Sequence, residues 1–134
     1  MATTPAYAAT PNNGSVVITG TETDIQVPTQ AVLVLTAGSN GSKVEEIDVS
    51  AIATTLIPTT VAGLVYIFLY NGSTYFLFDT YTVTAITASA TASGFRLSRG
   101  YPNLILKTGW SIYASQSIAG NAGKINVSAF GGDY

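Results

Sequence analysis

Paired carboxylates come closest, among the residues of this chain, to a catalytic arrangement. Glu46 and Asp48 are two positions apart in KVEEIDVSAI (43–52), so they share a face if that segment is a strand. A glycosidase uses two facing carboxylates in a cleft, one of them with a raised pKa. In an alternating strand, however, this side is the polar one, which normally faces water. We therefore interpret the pair as a solvated strand face.

The sequence lacks the residue types that other catalytic mechanisms require. The chain has no His and no Cys, which removes the commonest general base and the commonest metal ligand. A Ser or Thr nucleophile would need a Lys partner or the N-terminal amine, and no Ser-x-x-Lys motif occurs. Glu22 and Asp24 alone are too few for a calcium loop. We predict a protein that is not an enzyme, with no catalytic residues, cofactor or metal.

The composition favours a protein that covers much of its surface. Charged residues make up 9% of the 134-residue chain, against a usual share of about 25%. Such scarcity suits a surface packed against copies of the same chain or against a partner. The five basic residues are scattered and the net charge is −2, so we predict no nucleic-acid partner. The apolar runs are too short to span a bilayer, which predicts no membrane association.

The elements that must position these residues are strands. Runs rich in Val, Ile, Thr, Tyr and Phe alternate with turn residues, and no stretch has helical periodicity. We predict one all-β domain over residues 15–134, an antiparallel β-sandwich of jelly-roll type with about eight strands. QAVLVLTA (30–37) is apolar on both faces, which predicts a central, doubly covered strand. Pro5 and Pro11 exclude regular structure in residues 1–14, which are either a flexible tail or an extended N-terminal arm that becomes ordered against a neighbour. We predict the arm.

The segment VYIFLYNGSTYFLF (65–78) predicts an aromatic hairpin with a type I′ turn at Asn71-Gly72. Both of its strands are apolar on both sides. One side must build the core, and the other must be covered by loops, by the arm or by another subunit. Tyrosine suits such a second face because its ring packs while its hydroxyl reaches water or a partner. Four tyrosines are the predicted subunit interface: Tyr66, Tyr70, Tyr75 and Tyr81.

Several segments together resemble a known group of proteins. They are AGSNGSKVEEIDV (37–49), VYIFLYNGSTYFLFDTYTV (65–83), YPNLILKTGWSIYAS (101–115) and INVSAFGGDY (125–134). Their order is similar to that in small virion proteins of tailed bacteriophages, including capsid decoration, or cement, proteins. The resemblance implies a β-sandwich that forms homotrimers on the outer surface of the phage head. Its partners would be copies of itself and the major capsid protein, whose assembled lattice it would stabilise.

The resemblance covers most of residues 30–134, and the N-terminal arm matches nothing in that group of proteins. Because extended arms can add a strand to an exposed sheet edge, the arm is the candidate capsid-binding segment, with Pro5, Tyr7 and Pro11 as its residues. A second interpretation is a receptor- or carbohydrate-binding module of a phage tail or head fibre. In that case the tyrosines, with Tyr113 added, would be a stacking surface for the ligand.

Overall fold

The computed structural model describes residues 10–51, 59–89 and 91–134, and in these ranges the chain is nearly all β. Within them, the single short helix has three residues, and no helix is long and apolar enough to cross a bilayer. The elements are β1 (Thr10–Ile18), β2 (Val32–Thr36), β3 (Ser42–Ala51), β4 (Thr59–Thr60), β5 (Gly63–Tyr70), β6 (Tyr75–Val83), β7 (Ile86–Thr87), β8 (Arg96–Gly100), β9 (Ile105–Leu106), β10 (Ser111–Gln116), the 3₁₀ turn η1 (Ala119–Asn121) and β11 (Ile125–Asp133).

Two antiparallel sheets form the sandwich. The first sheet has the order β1-β11-β3-β8, with β9 also paired to β3, and the second has the order β2-β10-β5-β6. Strands β4 and β7 form a separate two-stranded ribbon. When the eight principal strands are counted along the chain, the sheet orders become 1-8-3-6 and 2-7-4-5, which is the jelly-roll arrangement. The predicted all-β, jelly-roll-like sandwich is confirmed.

The core lies between the two sheets and follows the alternation of the strands. Ile47 and Val49 of β3 are fully buried, as are Ile125 and Val127 of β11. Since successive side chains of a strand point to opposite faces, one face of each strand supplies the core and the other faces outward. The buried apolar set from the second sheet includes Leu35, Val65, Ile67, Tyr81, Val83, Ile112 and Ala114.

The N-terminal boundary differs from the prediction. Strand β1 begins at Thr10 and pairs along its whole length with β11, from Thr10 opposite Asp133 to Ile18 opposite Ile125. Residues 10–14 therefore belong to the sandwich, and their assignment to an arm is wrong. Proline is tolerated at position 11 because β1 is an edge strand, where a missing N–H breaks no central ladder. Pro5 and Tyr7 lie outside the described residues.

Strand β2 is an edge strand, so the prediction that it is central and doubly covered is wrong. Its backbone is instead covered by β1 of the other sheet, which closes this side of the sandwich. The Asn12 amide nitrogen donates to the Thr36 carbonyl over 3.0 Å. Gly14 lies so close to the Val34 carbonyl that a Cβ there would overlap it. The apolar residues of β2 thus reflect contact with another sheet's edge rather than a central position.

The aromatic hairpin is confirmed, with a different turn. Tyr70 pairs with Tyr75, so four residues form the loop, and only Gly72 of them has a positive φ, of 98°. A type I′ turn needs positive φ at both central residues. The Asn71 side chain takes over instead, because its Oδ1 accepts hydrogen bonds from the backbone of Ser73 at 3.0 Å and Thr74 at 2.8 Å.

Candidate functional site

The outer face of the second sheet carries no charged side chain. Asp79 is the only charged residue in its four strands, and Asp79 lies on the core side of β6. Cross-strand pairs align Leu33 with Tyr113, Tyr113 with Phe68, and Phe68 with Leu77. We call this surface the aromatic face; its residues are Leu33, Tyr66, Phe68, Tyr70, Tyr75, Leu77 and Tyr113.

The rings of Tyr70, Tyr75 and Tyr113 form a cluster at one end of the aromatic face. The ring centroids of Tyr70 and Tyr75 are 4.4 Å apart, and both lie within 5.3 Å of the Tyr113 centroid. Two of these contacts are edge-to-face, which is a favourable arrangement of aromatic rings. Burial, together with the neighbouring tyrosines, raises the pKa of Tyr75. The Tyr75 hydroxyl is therefore a neutral donor and acceptor at ordinary pH.

The aromatic face leaves apolar surface open to solvent. Leu33 is 47% exposed and Leu77 is 40% exposed. Tyr66, Tyr70 and Tyr75 are half-buried on the same face, and their role as a subunit interface stays a prediction. Leu33 comes from another strand, 33 positions before Tyr66, and only the sheet order places it there. Phe68, on a strand between the two leucines, is fully buried and contacts the rings of Tyr66 and Tyr75. Exposed apolar residues on an uncharged face are a feature of protein-interaction surfaces.

Tyr81 does not belong to this face, and its prediction as an interface residue is wrong. Asp79 pairs with Ile67 and Leu77 with Phe68, so Phe78 is an extra residue in a β-bulge. A bulge reverses the alternation beyond it. Tyr81 consequently points into the core and is fully buried.

The buried Tyr81 joins a polar network that ties the two sheets together at the β6 edge. Its hydroxyl lies 2.6 Å from the Tyr101 hydroxyl and 3.2 Å from the Ile47 carbonyl. Tyr101 donates to Asp79 Oδ2 over 2.7 Å. The Arg99 guanidinium donates to Asp79 Oδ1 over 2.7 Å and lies 4.2 Å from the Tyr81 ring centroid. Charge-assisted hydrogen bonds of this kind are stronger than neutral ones.

The network shifts the pKa values of Tyr101 and Asp79. Burial raises the pKa of Tyr101, and the hydrogen bonds to Tyr81 and Asp79 add to that effect. Burial would also raise the pKa of Asp79, but the hydrogen bonds from Arg99 and Tyr101 outweigh it and hold that pKa below its usual value. Asp79 therefore stays ionised and Tyr101 stays a donor, which keeps Tyr101 in a fixed position.

Tyr101 forms one wall of a small cavity beside the β6 edge. The cavity has a volume of about 270 Å³. Its lining residues are Phe78, Tyr101, Pro102, Asn103 and Leu104. The rings of Phe78 and Tyr101 are 5.5 Å apart. Phe78 is 39% exposed, so part of its ring is open to solvent beside this cavity.

The outer face of the first sheet carries a cluster of charged residues, Glu46, Asp48 and Arg96. The Asp48 side chain is only 9% exposed, so the prediction that it is solvated is wrong. Its Oδ2 accepts from Arg96 Nε over 3.0 Å. Burial would raise the pKa of Asp48, but hydrogen bonding with Glu46 and Arg96 outweighs it and holds that pKa below its usual value. The neighbouring Asp48 carboxyl group raises the pKa of Glu46.

Neither residue of this carboxyl pair lines the two cavities of about 390 Å³ and about 270 Å³. The larger one has Glu45 as its only acidic side chain. Hydrolysis of a glycoside by acid and base requires two carboxyl groups at the bond. No group of three or more His, Cys, Asp or Glu side chains in the described ranges could hold a metal ion. The ion pair between Arg96 and Asp48 joins β8 to β3.

Comparison with known proteins identifies no matching family model, no similar curated protein and no similar solved structure.

Proposed function

We propose that this chain is a structural virion protein that decorates the head of a tailed phage. The observation that carries the proposal is the charge-free aromatic face with its exposed leucines. Homo-oligomeric interfaces are depleted in Lys, Glu and Asp and enriched in aromatic residues, which is the composition of this face. The resemblance of the sequence to phage decoration proteins supports a homotrimer as the assembly.

The mechanism follows from mass action. A protein that binds only the assembled head lowers the free energy of that state, by an amount that grows with its free concentration relative to the dissociation constant. Three linked copies on neighbouring capsid subunits gain further through effective concentration. The major capsid protein is the proposed partner and the outer capsid surface the proposed location. No step requires a cofactor, a nucleic acid or a membrane.

The N-terminal residues are the proposed contact with the capsid. Because β1 begins at Thr10, deletion of residues 2–9 removes Pro5 and Tyr7 and leaves every pair between β1 and β11 in place. We expect the shortened chain to keep the thermal unfolding midpoint of the full chain and to lose particle binding in co-sedimentation. Undiminished binding would remove the arm from the proposal and leave the oligomer untouched.

Location on the particle tests the virion assignment itself. Antibody labelling of phage particles from the genome that encodes this chain should mark the head in a regular lattice. Label at the tips of tail or head fibres would instead support the second candidate function, a receptor- or carbohydrate-binding module. The observation in favour of that candidate is the half-buried tyrosine cluster, Tyr70, Tyr75 and Tyr113, whose rings could stack on a sugar. A glycan array separates the two functions directly.

A further inference from the structure

The triplet Asn-Gly-Ser occurs three times in the chain, in three different structural settings. The copies are residues 13–15 in β1, residues 40–42 at the start of β3 and residues 71–73 in the loop between β5 and β6. An Asn that precedes Gly can lose its side-chain amide spontaneously, because glycine lets the next backbone nitrogen approach the side-chain carbonyl carbon. Since the three triplets are identical, a difference in their reactivity reports the fold around them.

The Asn71 side chain is folded back along its own loop. Its Oδ1 accepts hydrogen bonds from the Ser73 N–H over 3.0 Å, the Ser73 hydroxyl over 3.1 Å and the Thr74 N–H over 2.8 Å. To reach these donors, the side-chain amide must lie beside the Gly72 peptide, whose nitrogen is the attacking atom. The same hydrogen bonds stabilise the negative charge that develops on Oδ1 when a nucleophile adds to Cγ.

The Gly72 nitrogen is available for this attack. Within the described residues its N–H donates no hydrogen bond. Asn71 and Gly72 are both exposed, so water and hydroxide reach them. Hydroxide can therefore remove the Gly72 proton without breaking a contact of the fold.

The fold restrains the other two triplets. In the second one, Gly41 is buried and its N–H donates to the Gly38 carbonyl over 3.0 Å, so removal of its proton would break a bond of that turn. Asn13 lies within β1, where closure of a five-membered ring would turn the backbone out of its extended conformation. The pairing of β1 with β11 opposes that change.

We propose that Asn71 is a site of spontaneous deamidation, and that in the folded chain it reacts before Asn13 and Asn40. The deprotonated Gly72 nitrogen forms a bond to Asn71 Cγ. The bond from Cγ to the side-chain nitrogen then breaks, and that nitrogen takes a proton from solvent and leaves as ammonia. Water opens the resulting succinimide at either carbonyl, which leaves aspartate or isoaspartate at position 71. The net reaction consumes one water and releases one ammonia.

The product carries a new carboxylate at one end of the aromatic face. Asn71 directly follows Tyr70, whose ring centroid is 4.4 Å from that of Tyr75, so the charge appears beside the tyrosine cluster. The modified chain has one more negative charge than the net −2 of the sequence, so ion exchange separates it from the unmodified chain. The reaction needs no partner chain and occurs whether or not the proposed function holds.

The test compares the three sites in one sample of the wild-type chain. Incubation at mildly alkaline pH, followed by peptide mapping with mass spectrometry, measures the conversion of amide to acid at each Asn. In the folded chain we expect Asn71 to react at least about tenfold faster than Asn13 and Asn40. In guanidinium chloride the three rates should become similar, because the triplets are identical. The proposal is wrong if Asn13 or Asn40 reacts as fast as Asn71 in the folded chain, or if unfolding preserves the order.

The variant Ser73→Ala tests the hydrogen bonds to Oδ1. It removes the hydroxyl donor and keeps the two backbone donors, so we expect the rate at Asn71 in the folded chain to fall about threefold, as for the loss of one weak neutral hydrogen bond. In guanidinium chloride the variant and the wild type should react equally, which controls for the change of residue type. Circular dichroism before incubation checks that the variant is folded. An unchanged rate in the folded variant would contradict the role of this hydrogen bond.

Discussion

The Asp79 side chain connects the two sheets of the sandwich through hydrogen bonds to two other side chains. It accepts hydrogen bonds from Arg99 and Tyr101, whose strand and loop belong to the other sheet. Tyr101 in turn contacts the buried hydroxyl of Tyr81. None of these partners could be assigned from the sequence, because Asp79 and Arg99 are 20 positions apart and only the sheet arrangement brings them together.

Removal of the Tyr101 hydroxyl should weaken this connection. Tyr101→Phe loses the bond to an ionised carboxylate, and hydrogen bonds to charged groups contribute about 1.5–3 kcal/mol. We expect a loss of about 2 kcal/mol in the free energy of unfolding in urea. The control is Tyr70→Phe, because the Tyr70 hydroxyl makes no hydrogen bond within the described residues. Equal losses in both variants would contradict the role of the network.

The lowered pKa of Asp79 predicts a pH dependence of stability. Its folded-state pKa lies below the ordinary aspartate value near 3.9. The stabilisation is therefore complete above that ordinary value and is lost as the pH falls through the folded-state pKa. Between about pH 6 and about pH 2.5, the wild type should lose more unfolding free energy than Asp79→Asn. Equal losses in urea titrations would show that Asp79 is not stabilised in the folded state.

At the scale of elements, alternation predicts the faces of straight strands and fails at bulges. The pattern of KVEEIDVSAI correctly places Ile47 and Val49 in the core. The same reasoning misplaces Tyr81, because the bulge at Phe78 has no clear sequence signal in a run that is apolar on both sides. Asp48 is misjudged for another reason, since its burial depends on Arg96, 48 positions later.

The close approach of β1 and β2 can be tested with a single substitution. A Cβ at Gly14 would overlap the Val34 carbonyl, so Gly14→Ala must push the two strands apart. We expect a destabilisation of about 1–3 kcal/mol, the usual cost of overpacking. Gly100→Ala is the matched control, because it is also a strand glycine, and its Cβ would lie 3.7 Å from its nearest neighbour, the Glu45 carbonyl oxygen. Thermal unfolding midpoints that shift equally would contradict the close approach.

At the scale of the whole molecule, charge is divided between the two sides of the sandwich. The outer face of the first sheet carries Glu46, Asp48 and Arg96, while the outer face of the second carries no charge. Low overall charge and the aromatic hairpin could be read from the sequence, and they correctly predicted an apolar second face. The sequence could not show that Leu33 belongs to the aromatic face, because its position there depends on the pairing of β2 with β10.

The central claim is that a copy of the same chain covers the aromatic face. Light scattering after size exclusion, over a range of concentrations, measures the mass of the assembly directly. We predict an oligomer for the wild-type chain and a monomer for the double variant Leu33→Glu, Leu77→Glu, with both chains folded by circular dichroism. A wild-type chain that has the mass of one copy at every concentration would contradict the claim.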